Sequence, residues 1–130
     1  MKLQVPTKIE IKESPGKGLG VFAIDFISKN EIIEECHLLT LPFLNGRGQP
    51  VLLDYRFNWP KKDPIEYVLP LGYGGCYNHS DNSNANWKEH PKYKAFQFYA
   101  IKDIQQGEEI LVYYGDENYW GNQTKEVKLI

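Results

Sequence analysis

Near its end, the 130-residue chain reads Gly107-Glu108-Glu109-Ile110-Leu111-Val112-Tyr113-Tyr114-Gly115-Asp116. The aliphatic and aromatic residues from 110 to 114 predict a strand, with a glycine on either side of the segment. Side chains two positions apart on a strand share a face, so Val112 and Tyr114 point one way and Tyr113 the other. Because the strand ends in a Tyr-Gly pair, we expect the hydroxyl of Tyr114 to point into a turn.

The rest of the chain shows similar patterning. Helix signals are poor, and 11 glycines and 8 prolines interrupt the sequence. Further short strands are predicted at residues 8–11, 20–24, 32–33 and 96–101. One short helix is indicated around residues 50–57. The expected fold is mainly β, with several small sheets and few short helices.

Two segments of the chain resemble each other. Residues 23–31 match residues 100–108. The identical pairs are Ala23 and Ala100, Ile24 and Ile101, Ile27 and Ile104, and Glu31 and Glu108. Asn30 stands where the second copy has Gly107, and these two residue types best tolerate a left-handed turn. The similarity indicates a duplicated strand-turn-strand unit, with a chance match between common turn patterns as the alternative.

Composition limits the class of protein. Its length of 130 residues predicts one domain over residues 1–130, and 42% hydrophobic residues suffice for a modest core. The net charge is −2. The sequence has no basic tract of the kind that binds the phosphate backbone of nucleic acids. A mildly acidic chain suits a basic partner better. No apolar run approaches the ~20 residues of a membrane span, and no signal-peptide core is visible. We therefore expect a cytoplasmic or nuclear protein.

Metal binding is not predicted. Cys36 and Cys76 lie far apart in the sequence and form no C-x-x-C pair, so they read as reduced thiols. The three histidines are scattered and lack suitable partner ligands nearby.

Three further segments carry groups suited to a polar or flat ligand. Residues 16–20 form a glycine-rich turn that could expose backbone amides, although no helix follows it as in a dinucleotide site. Asn78 and His79 lie in the glycine-rich stretch 72–80 and offer amide and imidazole groups. Tyr119-Trp120 could stack on a ring. Each signal alone also fits an ordinary turn, a structural histidine or a core aromatic.

Taken together, the order and spacing of these motifs resemble the SET-domain family of lysine methyltransferases. The resemblance covers about residues 7–120 and looks closest to small stand-alone SET proteins of viruses and bacteria. The matching motifs are Gly18-Leu19-Gly20-Val21-Phe22-Ala23, Glu34-Glu35-Cys36, Asp54-Tyr55, Asn78-His79-Ser80, Asn84-Ala85, Gly107-Glu108-Glu109 and Tyr114-Gly115-Asp116. The resemblance implies that the C-terminal segment is threaded in a pseudoknot-like way, with the Asn-His segment and the Tyr114 segment packed together. The tail 121–130 lacks the zinc-binding cysteines of many members, and Leu19 replaces an aromatic found in some small relatives.

The resemblance also implies a mechanism and roles for residues. S-adenosylmethionine (AdoMet) would donate a methyl group to a lysine ε-amine, with Tyr114 and Tyr55 as the catalytic residues. The implied cofactor-binding residues are Lys17, Gly18, Leu19, Gly20, Asn78, His79, Tyr119 and Trp120. The implied substrate-channel residues are Tyr55, Trp87, Val112 and Tyr119. A non-catalytic module that binds lysine or methyl-lysine peptides is the alternative function.

Two finer expectations concern the substrate. The acidic residues near the motifs suggest a rim that attracts a lysine in a basic, flexible protein segment; they are Glu31, Glu34, Glu35, Asp54, Asp81, Asp116 and Glu117. Val112 leaves room beside Tyr114 for more than one methyl group, whereas Trp87, taken as a loop residue, could turn inward and remove that room. The chain is also compatible with a homodimer.

Overall fold

The computed structural model of the protein describes residues 3–40, 57–60 and 66–113. Within these ranges the secondary structure consists of strands, with no helix. The strands are β1 (Ile9–Ser14), β2 (Gly18–Ala23), β3 (Ile32–Thr40), β4 (Phe57–Trp59), β5 (Glu66–Pro70), β6 (Asn78–His79), β7 (Ala85–Glu89), β8 (Ala95–Ala100) and β9 (Glu109–Val112). The mainly β fold class is confirmed. Phe57 opens a strand instead of ending a helix, and the remainder of the segment 50–57 lies outside the described ranges.

The strands form one curled sheet with an unusual order. Along the sheet the order is β1-β2-β9-β7-β8-β3-β5-β4, and β6 pairs with β9 from outside this path. β9 is antiparallel to β2 but parallel to β6 and β7. The last described strand therefore enters between the glycine-rich strand β2 and the Asn-His segment β6, in keeping with the threading expected of the fold.

The duplicated unit is visible in the hydrogen bonds. Ile27 and Ile104 exchange two backbone bonds of 2.9 and 2.8 Å across an antiparallel bridge. Asn30 N donates to Ala100 O at 2.8 Å, and Gly107 N donates to Ala23 O at 2.8 Å. Asn30 and Gly107 both have positive φ, at 74° and 91°. The repeat seen in the sequence is thus confirmed as two equivalent turns that hold each other in place.

The two units differ by one inserted residue. β9 pairs with β2 in regular register, with Val21 opposite Ile110. In the equivalent pair, β3 with β8, the register shifts between Ile32 and Glu34, so that Glu34 lies opposite Phe98. A β-bulge re-aims the side chain that follows it. It brings the Glu34 carboxyl into the interior, at the position that Ile110 occupies in the other unit.

The core lies between these units and is largely aromatic and β-branched. Tyr77 is fully buried and stacks on Phe98 with ring centroids 4.5 Å apart. Phe57 meets the Trp87 and Phe96 rings edge-on at 5.0 and 5.4 Å. In the part of the chain that the structure describes, no helix is long and apolar enough to cross a bilayer.

Candidate active site

The glycine turn joins β1 to β2. Lys17 N donates to Ser14 O at 2.9 Å and closes the turn. Gly16 and Gly18 have φ of 77° and 81°, a left-handed conformation that costs a residue with a Cβ free energy. Residues 16–19 are exposed, Leu19 with 54% of its surface, and they form the rim of the glycine turn.

Gly20 is needed for a different reason, because other groups fill the space where a side chain would be. A Cβ at Gly20 would overlap Oε2 of Glu109 and lie 3.0 Å from Nδ2 of Asn78 and 3.1 Å from Cβ of Ser14. Glycine in a strand often marks such a close approach. Three elements, β1, β6 and β9, therefore meet β2 at this point.

Asn78 joins these elements through its side chain. The residue is fully buried, and its Nδ2 donates to Glu109 Oε2 at 2.7 Å and to Leu19 O at 3.1 Å. Its Oδ1 is buried and has no hydrogen-bond partner in the described structure. A buried acceptor without a donor costs about 1–3 kcal/mol, so such an atom calls for an explanation.

His79 lies beside Asn78 with its side chain 15% exposed. Its Nε2 is 3.2 Å from Asp81 Oδ1, and its ring lies 5.2 Å from that of Tyr113. The parallel pairing of β6 with β9 puts Asn78 opposite Leu111 and His79 opposite Val112. The structure thus brings together the predicted cofactor-binding residues Lys17, Gly18, Leu19, Gly20, Asn78 and His79.

Asn84 anchors the strand that leads to Tyr114. Its Nδ2 donates to Glu109 O and its Oδ1 accepts from Leu111 N, both at 2.9 Å. The side-chain amide thereby pairs with β9 as a neighbouring strand would. The sequence analysis placed Asn84 and Glu109 in motifs but did not predict that Asn84 binds the backbone of β9 or that Glu109 binds Asn78. Neither role has a signal in the sequence, since each depends on contacts between distant segments.

Glu34 does not belong to an exposed acidic rim, so the prediction that it helps to attract the substrate lysine is wrong. It is 2% exposed, and its Oε1 accepts from Tyr77 Oη at 2.6 Å while Oε2 accepts from Tyr73 N at 2.8 Å. Burial raises the pKa of the Glu34 carboxyl, and hydrogen bonds from Tyr77, from the Tyr73 backbone and from Cys36 oppose that rise. Burial also raises the pKa of the Tyr77 phenol and of the neighbouring Cys36 thiol.

Other members of the expected rim have mixed positions. Glu35 is largely buried and pairs with His90 Nε2 at 3.1 Å and with Gln97 Nε2 at 2.8 Å. Glu31 pairs with Lys8 Nζ at 2.8 Å, and the Asp81 side chain is 93% exposed. Asp54, Asp116 and Glu117 lie outside the described residues. Glu35, like Glu34, therefore belongs to an internal polar network.

Val112 and Tyr113 point in opposite directions, as strand alternation predicts. Val112 is fully buried and Tyr113 is 39% exposed. Trp87 belongs to β7, so its assignment to a loop is wrong, and its ring packs against Phe57 and Phe96. Tyr55, Tyr114, Tyr119 and Trp120 lie outside the described residues, so the channel roles stay predictions.

Metal ligands do not cluster in the described ranges, where no group of three or more His, Cys, Asp or Glu side chains is placed to hold an ion. Cys36 is buried and Cys76 half-buried, both as free thiols. The prediction of a site without metal stays a prediction.

Comparison with known proteins agrees with this arrangement. The SET domain family model matches residues 18–115. A Schizosaccharomyces pombe protein named histone-lysine N-methyltransferase, H3 lysine-37 specific, is 27% identical over 129 residues, covering 97% of this chain and 86% of that protein. A crystal structure of a candidate histone methyltransferase from Plasmodium falciparum superposes with a TM-score of 0.72 at 38% identity, covering 85% of this chain and 96% of the other. The chain belongs to the SET-domain family and is a protein-lysine methyltransferase.

Proposed function

We propose that the protein transfers a methyl group from AdoMet to the ε-amine of a lysine in a basic, flexible protein segment of the kind found in histones. The observation that carries the cofactor assignment is the buried Asn78 Oδ1, an acceptor without a donor, beside the exposed glycine turn. The name of the Schizosaccharomyces pombe relative specifies a histone lysine, which supports a histone-like protein as the substrate.

The residues at this site fit AdoMet. The cofactor carries several donors, namely an ammonium, an adenine amino group and ribose hydroxyls, any of which would satisfy an unpaired acceptor. The exposed rim from Gly16 to Leu19 offers backbone groups, and Gly16 and Gly18 have no side chain to block their approach to a ligand. His79 lies at the edge of the same site, and Tyr119 and Trp120 are proposed to complete it.

When bound, AdoMet supplies a methyl group on a sulfonium, and the remaining task is to prepare the amine. A free lysine has a pKa of about 10.4, but only the neutral amine can attack. A desolvated channel with aromatic walls disfavours the ammonium form and lowers that pKa. Tyr55, Tyr114 and Tyr119 are proposed to form those walls, with the Tyr114 hydroxyl orienting the amine toward the methyl carbon at about 3–3.5 Å.

Localisation and assembly are further proposals. We infer that the protein acts in the cytoplasm or nucleus, where a histone-like substrate would be met, without direct contact with nucleic acid or membrane. A homodimer stays a prediction.

The first test is cofactor binding. Calorimetry with AdoMet should give a dissociation constant between micromolar and sub-millimolar, about the range of enzyme Michaelis constants. Asn78→Ala should weaken binding about tenfold or more through the lost hydrogen bonds. Asn86→Ala is the matched control, since among the described residues the Asn86 side chain accepts one hydrogen bond, from the neighbouring Trp87 N. An absence of heat and of any thermal shift at millimolar AdoMet would contradict the proposal.

The second test concerns the number of methyl groups added. Val112 is a small residue at the position two before Tyr114, and the Trp87 ring is held against core aromatics by its contacts with Phe57 and Phe96. We expect the enzyme to proceed beyond monomethyl-lysine, because valine leaves room for a second methyl group and the contacts of the Trp87 ring with core aromatics hold that ring in the core. Mass spectrometry of a peptide substrate at long reaction times will show this. A product that accumulates with one methyl group refutes the expectation.

A further inference from the structure

We propose that Glu109 is a positioning residue of the cofactor site: seated by Ser14, it orients the Asn78 amide and thereby fixes the carbonyl of Leu19 in the rim of the glycine turn. The inference rests on the proposed function, since it assumes that this rim holds the cofactor. Glu109 itself is not proposed to touch the reacting atoms.

Glu109 lies where three elements converge. Its Oε1 accepts from Ser14 Oγ at 2.8 Å, and its Oε2 accepts from Asn78 Nδ2 at 2.7 Å. Ser14 is the last residue of β1 and is 2% exposed, so its hydroxyl is a fixed donor. Because each oxygen has its own donor, the carboxylate cannot rotate without losing a bond. Bonds to a carboxylate are about twice as strong as neutral ones.

The carboxylate determines which way the Asn78 amide faces. Nδ2 has two protons, and these go to Glu109 Oε2 and Leu19 O. A flipped amide would place Oδ1 against both of these acceptors, where it would be repelled. Glu109 therefore keeps Oδ1 pointing away from these two acceptors, and in that orientation Oδ1 has no hydrogen-bond partner among the described residues.

The amide in turn holds the glycine turn. β2 pairs with β9 only at Val21 and Phe22, so its earlier residues extend beyond the paired region on that side. There the Leu19 carbonyl is bound by the Asn78 side chain at 3.1 Å. β1 holds Leu19 on one side, where it pairs with Glu13. On the side of β9, the position of the Leu19 carbonyl depends on Asn78 and, through it, on Glu109.

The test compares two substitutions at position 109. Glu109→Met removes both acceptors at similar length, whereas Glu109→Gln can still accept from Asn78 through Oε1 and donate to Ser14 Oγ through Nε2. Calorimetry with S-adenosylhomocysteine should show an affinity at least tenfold lower for Glu109→Met and within about threefold of wild type for Glu109→Gln. Glu108→Met, at an exposed neighbouring residue, is the control and should bind as wild type.

A second readout does not involve the cofactor. In the cofactor-free protein, the side-chain amide protons of Asn78 should exchange slowly in NMR spectra of wild type and Glu109→Gln, and faster in Glu109→Met. In turnover, Glu109→Met should raise the KM for AdoMet and leave that for the peptide unchanged. Wild-type affinity in Glu109→Met, equal losses in both variants, or unchanged amide exchange would each overturn the inference.

Two further outcomes are separable. If the wild type binds no cofactor, the proposed function fails, and the amide exchange still decides the orientation of Asn78. If Glu109→Met does not fold, Ser14→Ala provides the test, because it removes one donor to the carboxylate. It should lower cofactor affinity about twofold to tenfold, and wild-type affinity in that variant would overturn the inference.

Discussion

Replacing Glu34 with Ala is expected to lower the free energy of unfolding by about 3–5 kcal/mol relative to Glu34→Gln. Both variants remove the ionisable carboxyl group, so the difference between them reports the contacts of the side chain. Alanine removes the two hydrogen bonds that the carboxyl accepts from Tyr77 Oη and Tyr73 N. It also empties the space beside Gly72 that Glu34 Oε2 occupies. Glutamine can accept from Tyr73 N and donate to Tyr77 Oη. Urea unfolding of both variants measures the difference, and equal midpoints would contradict it.

The same site predicts a pH dependence of stability. Burial raises the folded-state pKa of Glu34 above its ordinary value of 4.5. Between the two pKa values the folded state binds more protons than the unfolded state, so this residue makes stability fall as the pH rises. The facing groups Tyr77, Cys36 and Cys76 have raised pKa values and stay neutral in this range. Wild type should therefore lose stability relative to Glu34→Gln from about pH 4.5 upward. If the free energies of unfolding of the two proteins vary with pH in parallel, this pH dependence does not come from Glu34.

Replacing Tyr114 with Phe is expected to lower methyl transfer at least tenfold to about a hundredfold, while cofactor affinity and melting temperature stay near wild type. The substitution keeps the ring and removes only the hydroxyl that is proposed to orient the amine. Tyr114 directly follows the described part of the chain, two residues beyond β9, which Asn84 and β6 hold in register. Single-turnover assays with a peptide substrate measure the effect.

Tyr113→Phe is the matched control. Tyr113 is the same residue type at the adjacent position, but it is 39% exposed and lies against the His79 ring, on the face opposite Val112. Its hydroxyl has no proposed role in transfer, so turnover should change less than about threefold. If both variants turn over at the same rate, Tyr114 is not the catalytic tyrosine.

Much of the fold was predictable from local patterns. Five strands were indicated by apolar and alternating runs, and the repeat was found because Ala23, Ile27 and Glu31 recur as Ala100, Ile104 and Glu108. The strands β4 to β7 were missed. They are short or carry polar residues such as Asn78 and Lys88, so their extended conformation comes from pairing with neighbours instead of from composition.

The site divides in a similar way. The residues around the glycine turn and the Asn-His pair were identified from motif order, and in the structure Asn78 Nδ2 donates a hydrogen bond to Leu19 O of that turn. Glu34 was misassigned because a glutamate next to Glu35 reads as part of a charged surface, whereas the bulge after Ile32 turns it inward. Trp87 was misassigned because two asparagines precede it, a composition typical of loops.

By itself, the sequence determined the elements that depend on short-range chemistry: β-rich segments, left-handed turns at Asn30 and Gly107, the glycine turn and the family to which their order points. Only the tertiary structure decided which distant groups meet. Glu109 joins Ser14 and Asn78 because β9 enters between β2 and β6, and Glu34 meets Tyr77 because one extra residue shifts the β3 register. Hydrogen bonds between side chains far apart in sequence depend on register and burial, and neither quantity is encoded in any single stretch of the chain.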